Sequence, residues 1–130
     1  MTEFEHLAFT RRLWRTHPFS YDGADCILSV CDHLLRMTGV DAAAPWRGTY
    51  SDEEGAREIW HAAGGKLALF RDGMARAGFR LAEPAPSWPV VADLFGHEMP
   101  GLWTGARVML RLDGRGVFEA PLPILAAWTR

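Results

Sequence analysis

The sequence predicts an α+β fold, and three observations carry that prediction. Apolar residues recur at helical spacing from Phe4 to about Ala77. A proline cluster, Pro84, Pro86 and Pro89, then interrupts that pattern. Beyond it come short strand-like apolar runs, with Asp113-Gly114 as a hairpin signal between two of them. Helices first and strands after is the order of an α+β domain. With 130 residues, the chain is expected to form a single domain (1–130), long enough to bury a core.

Each element has a local justification. Thr2 to Arg15 is predicted as the first helix, with Phe4, Leu7, Ala8 and Trp14 near one face. It stops at Thr16-His17-Pro18, because the residue before a proline disfavours helix. Phe19 to Gly23 is a loop with aromatic anchors and a turn-forming Asp22-Gly23. The clearest helix runs from about Asp25 to Met37. There Ile27, Val30, Cys31, Leu34 and Leu35 follow the spacing of a buried stripe, and Gly39 supplies a left-handed cap. Ala42 to Tyr50 is a loop. Ser51-Asp52-Glu53-Glu54 matches a capping box with Ser51 as the cap. Ala56, Ile59, Trp60 and Ala63 form the apolar face of that helix, and Gly64-Gly65 ends it. A fourth helix covers roughly Leu67 to Ala77 and closes at Gly78.

The second half is strand-like. Val90-Val91 begins a stretch reaching about Phe95, and Leu102 to Leu112 reads as one or two strands. Val117 to Ala120 returns after the hairpin, while the tail from Pro121 to Arg130 reads as a short helical turn ending near Trp128.

Composition narrows the function classes. Fourteen basic and 16 acidic residues give a net charge of −2 with no basic stripe, which argues against nucleic acid as the main partner. No apolar run is long enough to span a membrane, and Met1 to Arg15 has no apolar segment for secretion. The expected compartment on synthesis is therefore the cytoplasm. The six tryptophans suit a core or a partner interface equally. Cys26 and Cys31, five apart on one helix, point about 140° away from each other, so they are read as two free thiols. Metal sites lack their usual spacing, and Gly64-Gly65-Lys66 ends a helix instead of following a strand, so it is no phosphate loop. No cofactor is expected.

Cys26 sits in the first turn of the best-supported helix. Unpaired N–H groups and the helix dipole favour a thiolate there, which suits a nucleophile. The same position equally suits a small buried hydrophobe. Cys31 lies in the apolar stripe and belongs to the core. Among the histidines, His33 is nearly two turns from Cys26 and too far to bond it. His6 and His61 read as solvated, and His17 anchors a loop. His97, between two strand-like segments, is placed to reach a distant helix start, or is a surface loop histidine.

The stretch Pro18-Phe19-Ser20-Tyr21-Asp22-Gly23-Ala24-Asp25-Cys26, then Thr38-Gly39-Val40-Asp41, resembles short phage and prophage proteins related to NlpC/P60 cysteine peptidases. Arg47-Gly48-Thr49-Tyr50, Gly55-Ala56, Gly64-Gly65 and Ala127-Trp128 extend the resemblance across nearly the whole chain. It implies a papain-like fold, N-terminal helices on a small antiparallel sheet or half-barrel. It also implies Cys26 as nucleophile, with Tyr21 and Asp25 beside the substrate. The relatives' base is a histidine on the first core strand, and its place here is Met99, which cannot take a proton. His97, two residues upstream, shares that face of a regular strand, although Pro100 argues against a regular central strand.

Two roles follow from the resemblance. One is a structural or assembly part of a phage tail tip or baseplate with degenerate catalysis, ending in the virion tail. Its partners would be other tail proteins, contacted by exposed aromatics among Trp46, Trp88 and Trp103. The other is an active cysteine hydrolase that cuts peptidoglycan peptides during genome entry, with Cys26 as nucleophile and His97 as base. A host binding protein unrelated to phage is a third.

Overall fold

A computed structural model describes residues 1–130. It is α+β, with four helices followed by a six-stranded antiparallel sheet. Helix α1 (Glu3–Thr16) opens on a capping box, in which Thr2 Oγ1 accepts from Glu5 N–H and the Glu5 carboxylate accepts from Thr2 N–H. Its buried line runs through Leu7, Thr10 and Trp14. The predicted face was drawn too wide, since Phe4 is 63% exposed and Ala8 also faces outward.

Helix α2 (Cys26–Thr38) buries Ile27, Val30, Cys31 and Leu34 as its spacing predicts, and leaves Leu35 partly exposed. Gly39 closes it at φ +78°, a left-handed conformation that costs glycine little. Helix α3 (Glu53–Ala63) is capped by Asp52, one residue later than predicted: its carboxylate accepts from Gly55 N–H at 2.8 Å. A charged acceptor at the positive end of a helix outcompetes the Ser51 hydroxyl. Helix α4 (Lys66–Arg76) follows directly after Gly64-Gly65.

The strands are β1 (Arg80–Leu81), β2 (Pro89–Leu94), β3 (His97–Trp103), β4 (Val108–Leu112), β5 (Gly116–Ala120) and β6 (Ile124–Thr129), arranged β1-β6-β2-β3-β4-β5. Helix α2 lies across β3 and β4, α1 rests on β5, and α4 rests on β3. The tail is therefore not a helical turn. It enters the sheet between β1 and β2 as β6, pairing Ala126 with Val91 and Trp128 with Leu81.

Pro100 does sit in a central strand, opposite Val91. Pairing of β3 with β4 is confined to Leu102–Met109 and Trp103–Val108, so at Pro100 only β2 is a ladder partner. One side of the strand is free of the ladder there, and a missing N–H can be tolerated on that side. Next to it, Gly101 lets β4 cross closely, since a Cβ would stand 2.8 Å from Met109 O and 2.6 Å from a Leu110 methyl. Trp46 is another correction. It is 5% exposed and packed against Gly73, so it is no surface contact, whereas Trp88 and Trp103 are half-buried. No helix is long and apolar enough to cross a membrane.

Candidate functional site

The loop before α2 is closed by a small antiparallel bridge, with Ser20 and Ala24 exchanging backbone hydrogen bonds at 3.2 and 2.9 Å. That turn delivers Asp25 to the N-cap position and Cys26 to the first helical residue. The Asp25 carboxylate is buried, and both of its oxygens are engaged. Oδ1 accepts from Leu28 N–H at 2.8 Å, and Oδ2 accepts from the Tyr50 hydroxyl. Burial raises the Asp25 pKa, opposed by those hydrogen bonds and by the Lys66 charge.

Tyr50 reaches Asp25 because its loop is clamped onto α2. Arg47 forks onto Asp41 with two 2.9 Å hydrogen bonds, and its other terminal nitrogen lies 2.7 Å from Asp32 Oδ1. Asp25, Asp41, Arg47 and Tyr50, four of the residues that carried the resemblance, are thus occupied in holding loop against helix. Replacing Tyr50 with phenylalanine should cost about 1–3 kcal/mol, because one oxygen of a buried carboxylate loses its donor. A denaturation midpoint unchanged from the natural chain would contradict that account.

Cys26 is 5% exposed. Burial pushes its thiol up to about 11, while the Lys66 ammonium and the backbone N–H groups of the helix start pull the other way. Desolvation wins over the helix terminus, and the sulfur is a neutral thiol at pH 7. Lys66 is the cation nearest this chemistry. Its Nζ lies 3.9 Å above the Trp60 ring and 3.5 Å from Met99 Sδ. Where the resemblance places an imidazole, the sheet therefore presents a thioether with an ammonium against it. Glu98, the preceding residue, accepts from Leu67 N–H at 3.1 Å and caps α4 from outside, since Gly65 offers no side chain.

His97 opens β3 as an exposed residue. It lines an open cavity of about 490 Å³ with Arg57, Trp60, His61, Lys66 and Glu98, and no hydrogen bond joins it to Cys26. Tyr21 is half-buried, edge-on to Phe19 at 5.0 Å between ring centres. Burial first, then the charges of Glu53, Cys26, Asp113 and Asp25, push its phenol up to about 12, so it stays a neutral donor. Tyr21, Asp25, Cys26 and Lys66 lie within range of one another's charges, Tyr50 bonds Asp25, and His97 shares its cavity with Lys66 without a hydrogen bond to Cys26.

A second polar centre escaped the sequence reading. His33, 1% exposed, faces inward from α2. Arg36 donates to Thr10 Oγ1 at 2.9 Å, so the Thr10 hydroxyl proton is free to point at His33 Nδ1, 2.6 Å away. That assigns the other ring proton to Nε2, which donates to the Ser87 carbonyl at 2.9 Å. Burial, chiefly, lowers the His33 pKa to about 4, and the imidazole is neutral. Ser87 Oγ lies 3.0 Å from Nε2, yet Ser87 is fully buried and offers no nucleophile to a substrate. The spacing did carry a signal, because His33 falls three residues after Val30, on the buried stripe.

A family model described as Domain of unknown function (DUF6950) matches residues 4–129. No curated protein and no solved structure matches the chain.

Proposed function

The chain belongs to the DUF6950 family of domains of unknown function, and we propose that it is a structural or assembly component of a phage tail tip or baseplate. In this reading it keeps a papain-like, NlpC/P60-type frame whose catalysis has lapsed. The observation that carries the loss of catalysis is the surroundings of Cys26, a buried neutral thiol near Lys66 and Met99 with no imidazole bonded to it. A cysteine hydrolase needs the thiolate at working pH and a base within hydrogen-bond reach. The engagement of Asp25, Asp41, Arg47 and Tyr50 in internal bonds supports the same reading, since these residues act on the fold and not on a substrate. Assignment to the tail rests on the Pro18–Cys26 and Arg47–Tyr50 resemblance. The partners are other tail proteins, met through half-buried aromatics such as Trp88 and Trp103.

Iodoacetamide labelling tests the lapsed site. In a Cys31→Ser background, Cys26 should label far more slowly at pH 7 than an unperturbed thiol, whose pKa is about 8.5. The His97→Ala change should not alter that rate. Fast labelling at neutral pH that slows on loss of His97 would restore the alternative, a peptidoglycan peptide hydrolase using Cys26 and His97. The tail assignment has its own test: mass spectrometry of purified particles should find the protein, and its absence would remove that assignment.

A further inference from the structure

The net charge of −2 conceals a marked separation of charge over the surface. Four arginines form one patch, with a fifth acting on its edge. Arg11, Arg12 and Arg15 stand together on the outer side of α1, and Arg15 shares a surface cavity of about 540 Å³ with Arg115 of the β4–β5 turn. Arg107 is the fifth, its charge acting with those of Arg11 and Arg15 on Glu119. The patch holds only two carboxylates, Asp113 in that same cavity and Glu119, which Arg11 grips with two 2.9 Å hydrogen bonds. The first turns of α3 are the opposite case. Asp52, Glu53, Glu54 and Glu58 line one open surface cavity of about 740 Å³, with Arg57 and His61 the basic groups among them. Arg57 is already paired with Glu53 at 2.8 Å.

We propose that copies of this chain associate with one another, the acidic start of α3 on one copy seating on the arginine patch of α1 and the β4–β5 turn of another. Charge complementarity identifies the occupant, because the molecule itself carries both halves of the contact on different elements. A foreign acidic partner would explain the arginines and leave the acidic face unmatched. Glu53 of the acidic face and Asp113 of the arginine face both act on Tyr21, so the two faces flank one region and can be satisfied twice over in a two-fold pair. Exposed ion pairs are individually weak and screened by salt, so association must build up from several of them and fall steeply with ionic strength. The contact uses neither Cys26 nor any tail protein, and its failure would leave the proposed function standing.

Sedimentation velocity on the full chain tests it. In about 20 mM salt, species larger than the monomer should grow with concentration, and about 500 mM salt should return them to monomer. The exposed-site variants Arg12→Glu/Arg15→Glu and Glu54→Lys/Glu58→Lys should each be monomeric in low salt, with circular dichroism confirming that they fold. An equimolar mixture of the two should associate again, because each reversed face then meets its new opposite. A natural chain that stays monomeric at low salt overturns the proposal. So does association indifferent to salt, or a mixture that fails to restore it.

Discussion

Lowering the pH from about 6.5 to about 4 will remove on the order of 3 kcal/mol of folding stability through His33 alone. The imidazole is buried, with Nδ1 accepting from Thr10 and Nε2–H donating to the Ser87 carbonyl, so a second ring proton has nowhere to go. Arg36 and the nearby ring of His6, 6.2 Å away and edge-on, also disfavour it. An unfolded chain carries His33 at about 6.5 and the folded chain at about 4. Between those values the unfolded state binds the proton and the native state does not, so stability is full above the upper value and falls as pH drops toward the lower one. Urea midpoints measured across this window should slope in the natural chain and slope less in His33→Gln. Parallel curves, or an NMR titration placing the His33 ring near 6.5, would refute the buried neutral imidazole.

Trp128→Ala should be the most damaging single change, costing about 3–5 kcal/mol. The indole is 2% exposed, sits on β6 between β1 and β2, and meets Phe70 of α4 edge-on with ring centres 5.3 Å apart. It therefore joins the last strand to the helical layer. Against a typical total of about 5–15 kcal/mol, such a loss leaves a marginal domain. Thermal unfolding of Trp128→Ala and Trp128→Phe would measure it, the phenylalanine retaining part of the burial. A loss below about 1 kcal/mol in the alanine variant would mean that β6 is not docked as described.

These two residues also show where sequence reading stops. Helices α1, α2, α3 and α4 announce themselves because periodicity and caps act within a few residues, and even the misplaced cap of α3 missed by only one position. Strand β6 has no comparable local signature. Ala126, Ala127 and Trp128 become a strand because β2, more than thirty residues earlier, offers a free edge. The same distance problem governs the site. Cys26 at a helix start was readable, but its burial is a property of the packed molecule. The ammonium of Lys66 comes from another helix, and its contact with Met99 spans 33 positions of sequence. Trp46 lies in a loop with no periodicity to mark a buried face, and the absence of a side chain at Gly73 makes room for the indole.

The two-pair junction between β3 and β4 divides the sheet into unequal halves. Strands β2, β3 and β6 form one well-laddered unit and β4 with β5 another, joined along the ladder only at Leu102–Met109 and Trp103–Val108. What crosses that division is α2, lying on β3 and β4 together. Whether the molecule opens in one step or two therefore depends on a helix more than on strand hydrogen bonds. Amide exchange in β4 and β5 should follow that of α2, and a substitution loosening Leu34 should release the β4–β5 hairpin before the rest of the sheet.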